Sequence, residues 1–203
     1  MKLTNSLLRS VPLLCGLALW PSSGQAQTTI PTTLRVTEGV DKNAPGVLIR
    51  TYQIEGFDNQ GLLSLVERQM AGEFGANLAN LEDPNYTYNA ATSYFEVDGV
   101  VNFRHDAGDG ADNGEFVGPD YPDRPIPGLP GITYNSDQAA AEAIAFLDFP
   151  AAGLYEMGVS SDDPFKLTTW HNPRDRFALV IGQYDGARAM GESRVLLLRI
   201  TEP

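Results

Sequence analysis

Asp162 and Asp163 stand side by side in a short polar run, Ser161-Asp162-Asp163-Pro164. Adjacent carboxylates repel each other unless a cation, an arginine or backbone N–H groups offset their charge. Calcium suits such donors, because it takes roughly 6–8 oxygen ligands and prefers carboxylates among the charged ones. The competing reading is a turn in which both side chains cap backbone N–H groups. Trp170-His171-Asn172 and the loop Gln183-Tyr184-Asp185-Gly186 form a second group. Trp170, Tyr184 and Asp185 put aromatic rings beside polar atoms, an arrangement that stacks on and hydrogen-bonds a sugar ring; a partly buried rim aromatic is the alternative. A third stretch, His105–Glu115 (HDAGDGADNGE), repeats an acid at Asp106, Asp109 and Asp112. Glycines between the acids would let it wrap a calcium ion, but the spacing departs from the EF-hand loop, and a solvated acidic loop is the better account.

Motifs for catalysis are missing. There is no G-x-S-x-G elbow and no H-E-x-x-H helix. His105 and His171 do not form a spaced pair of metal ligands. A glycosidase needs two carboxylates about 5–9.5 Å apart across a cleft, and any acidic chain offers such pairs by chance. The expectation is a protein that is not an enzyme.

The elements that must position these residues read mainly as strands. Leu154–Ser160 alternates, with Tyr155, Met157 and Val159 on one face and Glu156, Gly158 and Ser160 on the other. Phe165–Thr169 alternates again beyond the Asp162-Asp163 loop. Period-two alternation bounded by turn residues is the mark of a half-buried strand. Val47–Ile54, Thr92–Phe103 (with a turn or bulge at Asp98-Gly99), Arg176–Ile181 and Arg194–Ile200 read the same way, and Ala143–Phe149 leads into the central unit. In Gly61–Glu73, Leu62, Leu65, Val66 and Met70 recur at helical spacing, which predicts one short amphipathic helix. Asn135–Glu142 reads as a helical turn. Asn77–Ala91 is irregular and contains Asn85-Tyr86-Thr87, an N-glycosylation pattern. The pattern as a whole predicts an all-β protein, an antiparallel, jelly-roll-like β-sandwich with one small helix.

Residues 1–26 read as a signal peptide. Lys2 and Arg9 precede the apolar run Val11–Trp20, and Gly24-Gln25-Ala26 supplies small residues for cleavage after Ala26. The run is too short to span a bilayer, and no later stretch reaches the roughly 20 apolar residues required. The only cysteine, Cys15, lies in this leader, so the mature chain holds no disulfide and no thiolate metal site. Residues 27–45, rich in Thr and Pro, read as a flexible lead-in, and residues 46–203 as one domain. The net charge is −12, and loss of Lys2 and Arg9 makes the mature chain more acidic still. Such a charge argues against nucleic acid and anionic membrane surfaces as partners and is compatible with a neutral glycan or a cation, or with solubility alone. The expected location is secreted, at the cell surface or in the periplasm.

The run Phe149-Pro150-Ala151-Ala152-Gly153-Leu154-Tyr155-Glu156-Met157-Gly158-Val159-Ser160-Ser161-Asp162-Asp163 resembles the central motif of the protective-antigen-type domain. That motif has the form apolar-x-x-x-G-x-Y-x-apolar-x-apolar-S-S-D-D-G, and Pro164 here replaces its last glycine. Val101-Asn102-Phe103 and Pro127-Gly128-Leu129-Pro130-Gly131 are similar to segments that precede the motif in bacterial exported proteins. The resemblance implies a β-sandwich of the kind found in a toxin component, in glycosidases and in yeast adhesins. In those adhesins the Asp-Asp pair, joined by a cis peptide, holds calcium that coordinates sugar hydroxyls. Carried onto this chain, it implies calcium at Asp162 and Asp163 and a glycan or cell-surface polysaccharide as partner. A structural or adhesive surface module without a small ligand is the alternative. Such domains continue past a turn like Thr201-Glu202-Pro203 into a last strand, so a missing last strand is expected.

Overall fold

In the computed structural model the chain is described at residues 27–36, 40, 46–57, 61–99, 101–104, 123–134, 136–169, 175, 177–188 and 193–203. The expected signal peptide lies outside them. The described residues form eleven strands in four sheets, one α-helix and one 3₁₀ turn, Thr32–Leu34, which establishes a β-rich fold with a single short helix. That helix is neither long nor apolar enough to cross a membrane.

The central strand of the first half is β2 (Val47–Gln53), flanked by β4 (Tyr94–Val97) and β7 (Ala139–Ile144), with β3 (Thr87–Asn89) beyond β4. Every second residue of β2 is buried: Val47, Ile49, Thr51 and Gln53. Val47 and Ile49 pair with Val97 and Phe95 across the sheet and form the apolar core with Tyr86, Tyr88 and Phe103. Further along, the same face turns polar. Thr51 Oγ1 donates to Pro127 O at 2.6 Å, and Gln53 Nε2 donates to Asp137 O at 2.8 Å. β4 pairs with β2 only as far as Ile49. Beyond that point the amide of Asn77 takes the place of a strand, accepting from Gln53 N–H and donating to Thr51 O, both at 2.9 Å.

The run Ala139–Ile144, expected in part as a helical turn, is instead strand β7, antiparallel to β2. Its alanines favour a helix locally, but tertiary contacts override that weak preference. Arg50 faces Glu142 in the register and pairs with it at 3.1 Å, while the Tyr94 hydroxyl donates to the same carboxylate oxygen at 2.8 Å.

β5 (Phe103–Arg104) and β6 (Arg124–Pro125) form a short parallel pair, closed by the buried ion pair of Arg104 and Asp123. In the second half, β8 (Gly153–Ser160) runs antiparallel to β11 (Ser193–Ile200), and β9 (Phe165–Thr169) pairs with β10 (Leu179–Tyr184). The two strands around the Asp162-Asp163 loop thus do not pair with each other; the loop carries the chain from one sheet to another. Part of the expected lead-in is a strand as well. β1 (Gln27–Ile30) lies parallel to Leu197–Ile200, so β11 is an inner strand between β1 and β8. A Cβ on Gly182 of β10 would lie 2.5 Å from Leu196 Cδ1 of β11, so a glycine is what lets these strands approach.

Helix α1 (Leu63–Met70) joins the halves. Gln69 on its inner face is fully buried and donates to Tyr52 O at 2.9 Å and to Gln138 O at 2.7 Å. Glu67 on its outer face pairs with Lys166 of β9 at 2.6 Å. Phe95, 1% exposed, sits where β3, β4 and the 127–129 turn converge. Phe95→Ala should cost about 3–5 kcal/mol, read as a lowered urea midpoint.

Candidate functional site

The chain leaves β8 at Ser160 and enters β9 at Phe165, crossing between sheets through Ser161-Asp162-Asp163-Pro164. Pro164 disfavours the right-handed α region for the residue before it. Asp163 adopts φ +62°, a left-handed conformation that Asp tolerates better than most residues. Two bonds then tie it to the loop after β10. Asp163 N–H donates to Arg188 O at 3.2 Å, and Arg188 N–H donates to Asp163 Oδ1 at 3.4 Å.

Arg188 organises the rest. Its Nη2 donates to Ser161 Oγ at 2.6 Å, and that hydroxyl donates to Asp163 O at 2.9 Å. The guanidinium lies 4.8 Å from the Tyr184 ring centroid and 5.2 Å from that of Phe165, within cation–π reach of both. The structure therefore brings Asp163 and Tyr184 together through Arg188. Asp162, next to Asp163 in the loop, is exposed. Among the described residues the Asp162–Asp163 bond is not cis; the cis bond is Leu129–Pro130.

Asp185, expected as a ligand contact, serves the helix. Its Oδ1 accepts from Leu63 N–H at 2.8 Å, at the start of α1, where Leu62 supplies no side-chain cap. A carboxylate there satisfies an orphan donor and faces the positive end of the helix dipole. Gly61 allows this approach: at φ +65°, its position for a Cβ lies 2.7 Å from Ala187 N. Trp170 and the acidic stretch His105–Glu115 lie outside the described residues.

As a calcium site the loop is short of oxygens. Two neighbouring carboxylates carry four oxygens between them, short of the roughly 6–8 ligands the ion takes. One of those oxygens already receives the Arg188 N–H. Among the described residues no group of three or more His, Cys, Asp or Glu side chains converges on one point. An ion at this loop would lie beside a cation, Arg188, and would need oxygens from outside it.

Arg188 carries no signal in the sequence. Nothing in Gly186-Ala187-Arg188 marks it, because its partners Ser161 and Asp163 lie in another loop. No family model, curated protein or solved structure matches this chain. The likeness to the protective-antigen-type domain therefore rests on its motif residues alone.

Asp185→Ala removes the trans cap of α1 and should lower stability by about 1 kcal/mol in urea unfolding. Asp185→Asn, which keeps an acceptor, should recover most of it.

Proposed function

We propose that this chain is a secreted, non-catalytic carbohydrate-binding module, built as a jelly-roll-like β-sandwich of the protective-antigen type. The observation that carries this reading is the gathering of Asp163, Tyr184 and Phe165 around Arg188, beside the exposed Asp162. Asp162 and Asp163 would hold a calcium ion weakly, and hydroxyls of a bound glycan would complete its shell. Tyr184 and Trp170 would give the sugar ring a face to stack on. The incomplete donor set fits an ion that binds firmly only together with its sugar.

A structural or adhesive module is the second reading, favoured by apolar side chains left in water. Phe177 is 90% exposed, Phe146 65% and Leu147 55%. Monomeric proteins scatter such residues singly, and Phe146-Leu147 is a pair.

Calorimetry of the secreted chain with calcium, alone and with polysaccharide present, separates the two. Glycan binding predicts calcium affinity of about 10⁻⁴–10⁻³ M, tightened by glycan and lost in Asp162→Ala. Absence of calcium and glycan binding, with concentration-dependent self-association in sedimentation, would favour the adhesive reading.

A further inference from the structure

A second feature lies far along the chain from the Asp162-Asp163 loop. Two turns, 80–85 and 129–134, line a half-open cavity of about 320 Å³. Its walls are held by backbone bonds between the turns: Asn80 N–H donates to Gly128 O at 2.9 Å and Ile132 N–H to Leu78 O at 2.8 Å. Asp83, buried beneath, accepts from Gly128 N–H at 2.9 Å through one oxygen and from Asn85 N–H and Asn85 Nδ2 through the other. The cavity is therefore formed before any ligand arrives.

Three of its groups remain unused. The Asn80 carbonyl oxygen accepts from Glu82 N–H, which fixes the amide orientation and leaves the Asn80 NH₂ without a partner among the described residues. The Asn85 NH₂ is committed to Asp83, which leaves the Asn85 side-chain oxygen as an acceptor. Tyr134 is 90% exposed and held at φ +58°, a conformation bulky residues rarely adopt. Beside it, Ile132 is 62% exposed.

We infer that this cavity is a binding site for a neutral pyranose sugar, separate from the Asp162-Asp163 loop and independent of calcium. A donor amide and an acceptor amide complement a pair of sugar hydroxyls, each of which both gives and receives a hydrogen bond. The exposed Tyr134 ring offers the apolar C–H face of the sugar a stacking surface, with its hydroxyl as a polar handle. Asp83 repels an acidic sugar while its own oxygens are occupied, so the ligand is uncharged. The volume lies at the small end for ligand pockets, which fits one ring held at the cavity and its neighbours in solvent. The site shares a ligand class with the function proposed above but no residue with it.

The test is an NMR titration of the bacterially produced mature chain, in which Asn85 stays unmodified. The probes are methyl α-glucoside, methyl α-mannoside, methyl β-galactoside, cellobiose and glucuronic acid, each with and without EDTA. At least one neutral probe should shift the Asn80, Asn85 and Tyr134 signals, with EDTA and with Asp162→Ala as without. Tyr134→Ala should weaken that probe about tenfold or more while leaving the unfolding midpoint in place. The proposal is overturned if no neutral probe shifts these signals, if Tyr134→Ala binds like the parent, or if glucuronic acid binds as well as the neutral sugars. Loss of binding on Asp162→Ala or EDTA alone would assign the sugar to the calcium loop and overturn the cavity site.

Discussion

The architecture depends on one side-chain amide. β4 stops pairing with β2 after Ile49, yet β2 continues to Gln53 with its backbone groups buried. A buried N–H or C=O left unpaired costs about 1–3 kcal/mol. Asn77 meets both needs at once, taking the Gln53 N–H and giving to the Thr51 carbonyl. Its oxygen also takes Ala79 N–H, and Leu78 N–H closes onto Gln53 O. A segment with no strand structure is thereby stitched to the sheet edge as a strand would be.

The turns around the cavity hang from that stitch. Leu78 O receives Ile132 N–H, Asn80 N–H reaches Gly128 O, and Thr51 Oγ1 holds Pro127 O. Gly131 sits against Gln53 Oε1 and Leu78 O so closely that any side chain there would collide with them. Both turns are thus fixed to β2 by polar groups, whereas Val47 and Ile49 on the same face pack on Phe95 and Val97. One strand face does two jobs, apolar at one end and hydrogen-bonding at the other. Arg188 plays a comparable part for the Asp162-Asp163 loop, and α1 links the two regions through Gln69 and Asp185.

Alternation in the sequence located β2, β8, β9 and β11 to within a residue or two, and helical spacing located α1. These elements carry their own signal because one face of each is more covered than the other: buried residues alternate along β2, half-buried ones along β8, and the outer residues of α1 are exposed. β7 did not, since alanine marks neither face and only the partner strand decides its conformation. β1 did not, because three polar residues and one isoleucine read as a strand only once β11 is beside them. The position of the Asp162-Asp163 loop between two strands was legible, but its clasp by Arg188 was not. Likewise Asn77 is one asparagine among several in an irregular stretch, and no local pattern tells which one serves as a ladder partner. Loop-to-loop bonds are made between segments distant in the chain, so they leave no periodic trace.

Native-state hydrogen exchange on Asn77→Ala, compared with the parent chain, tests the stitch directly. The account predicts that the amides of Gln53, Asn80 and Ile132 lose protection by about tenfold or more, while those of β8 and β11 keep theirs. Unchanged protection at Gln53 and Ile132, or an equal loss across both halves, would contradict it.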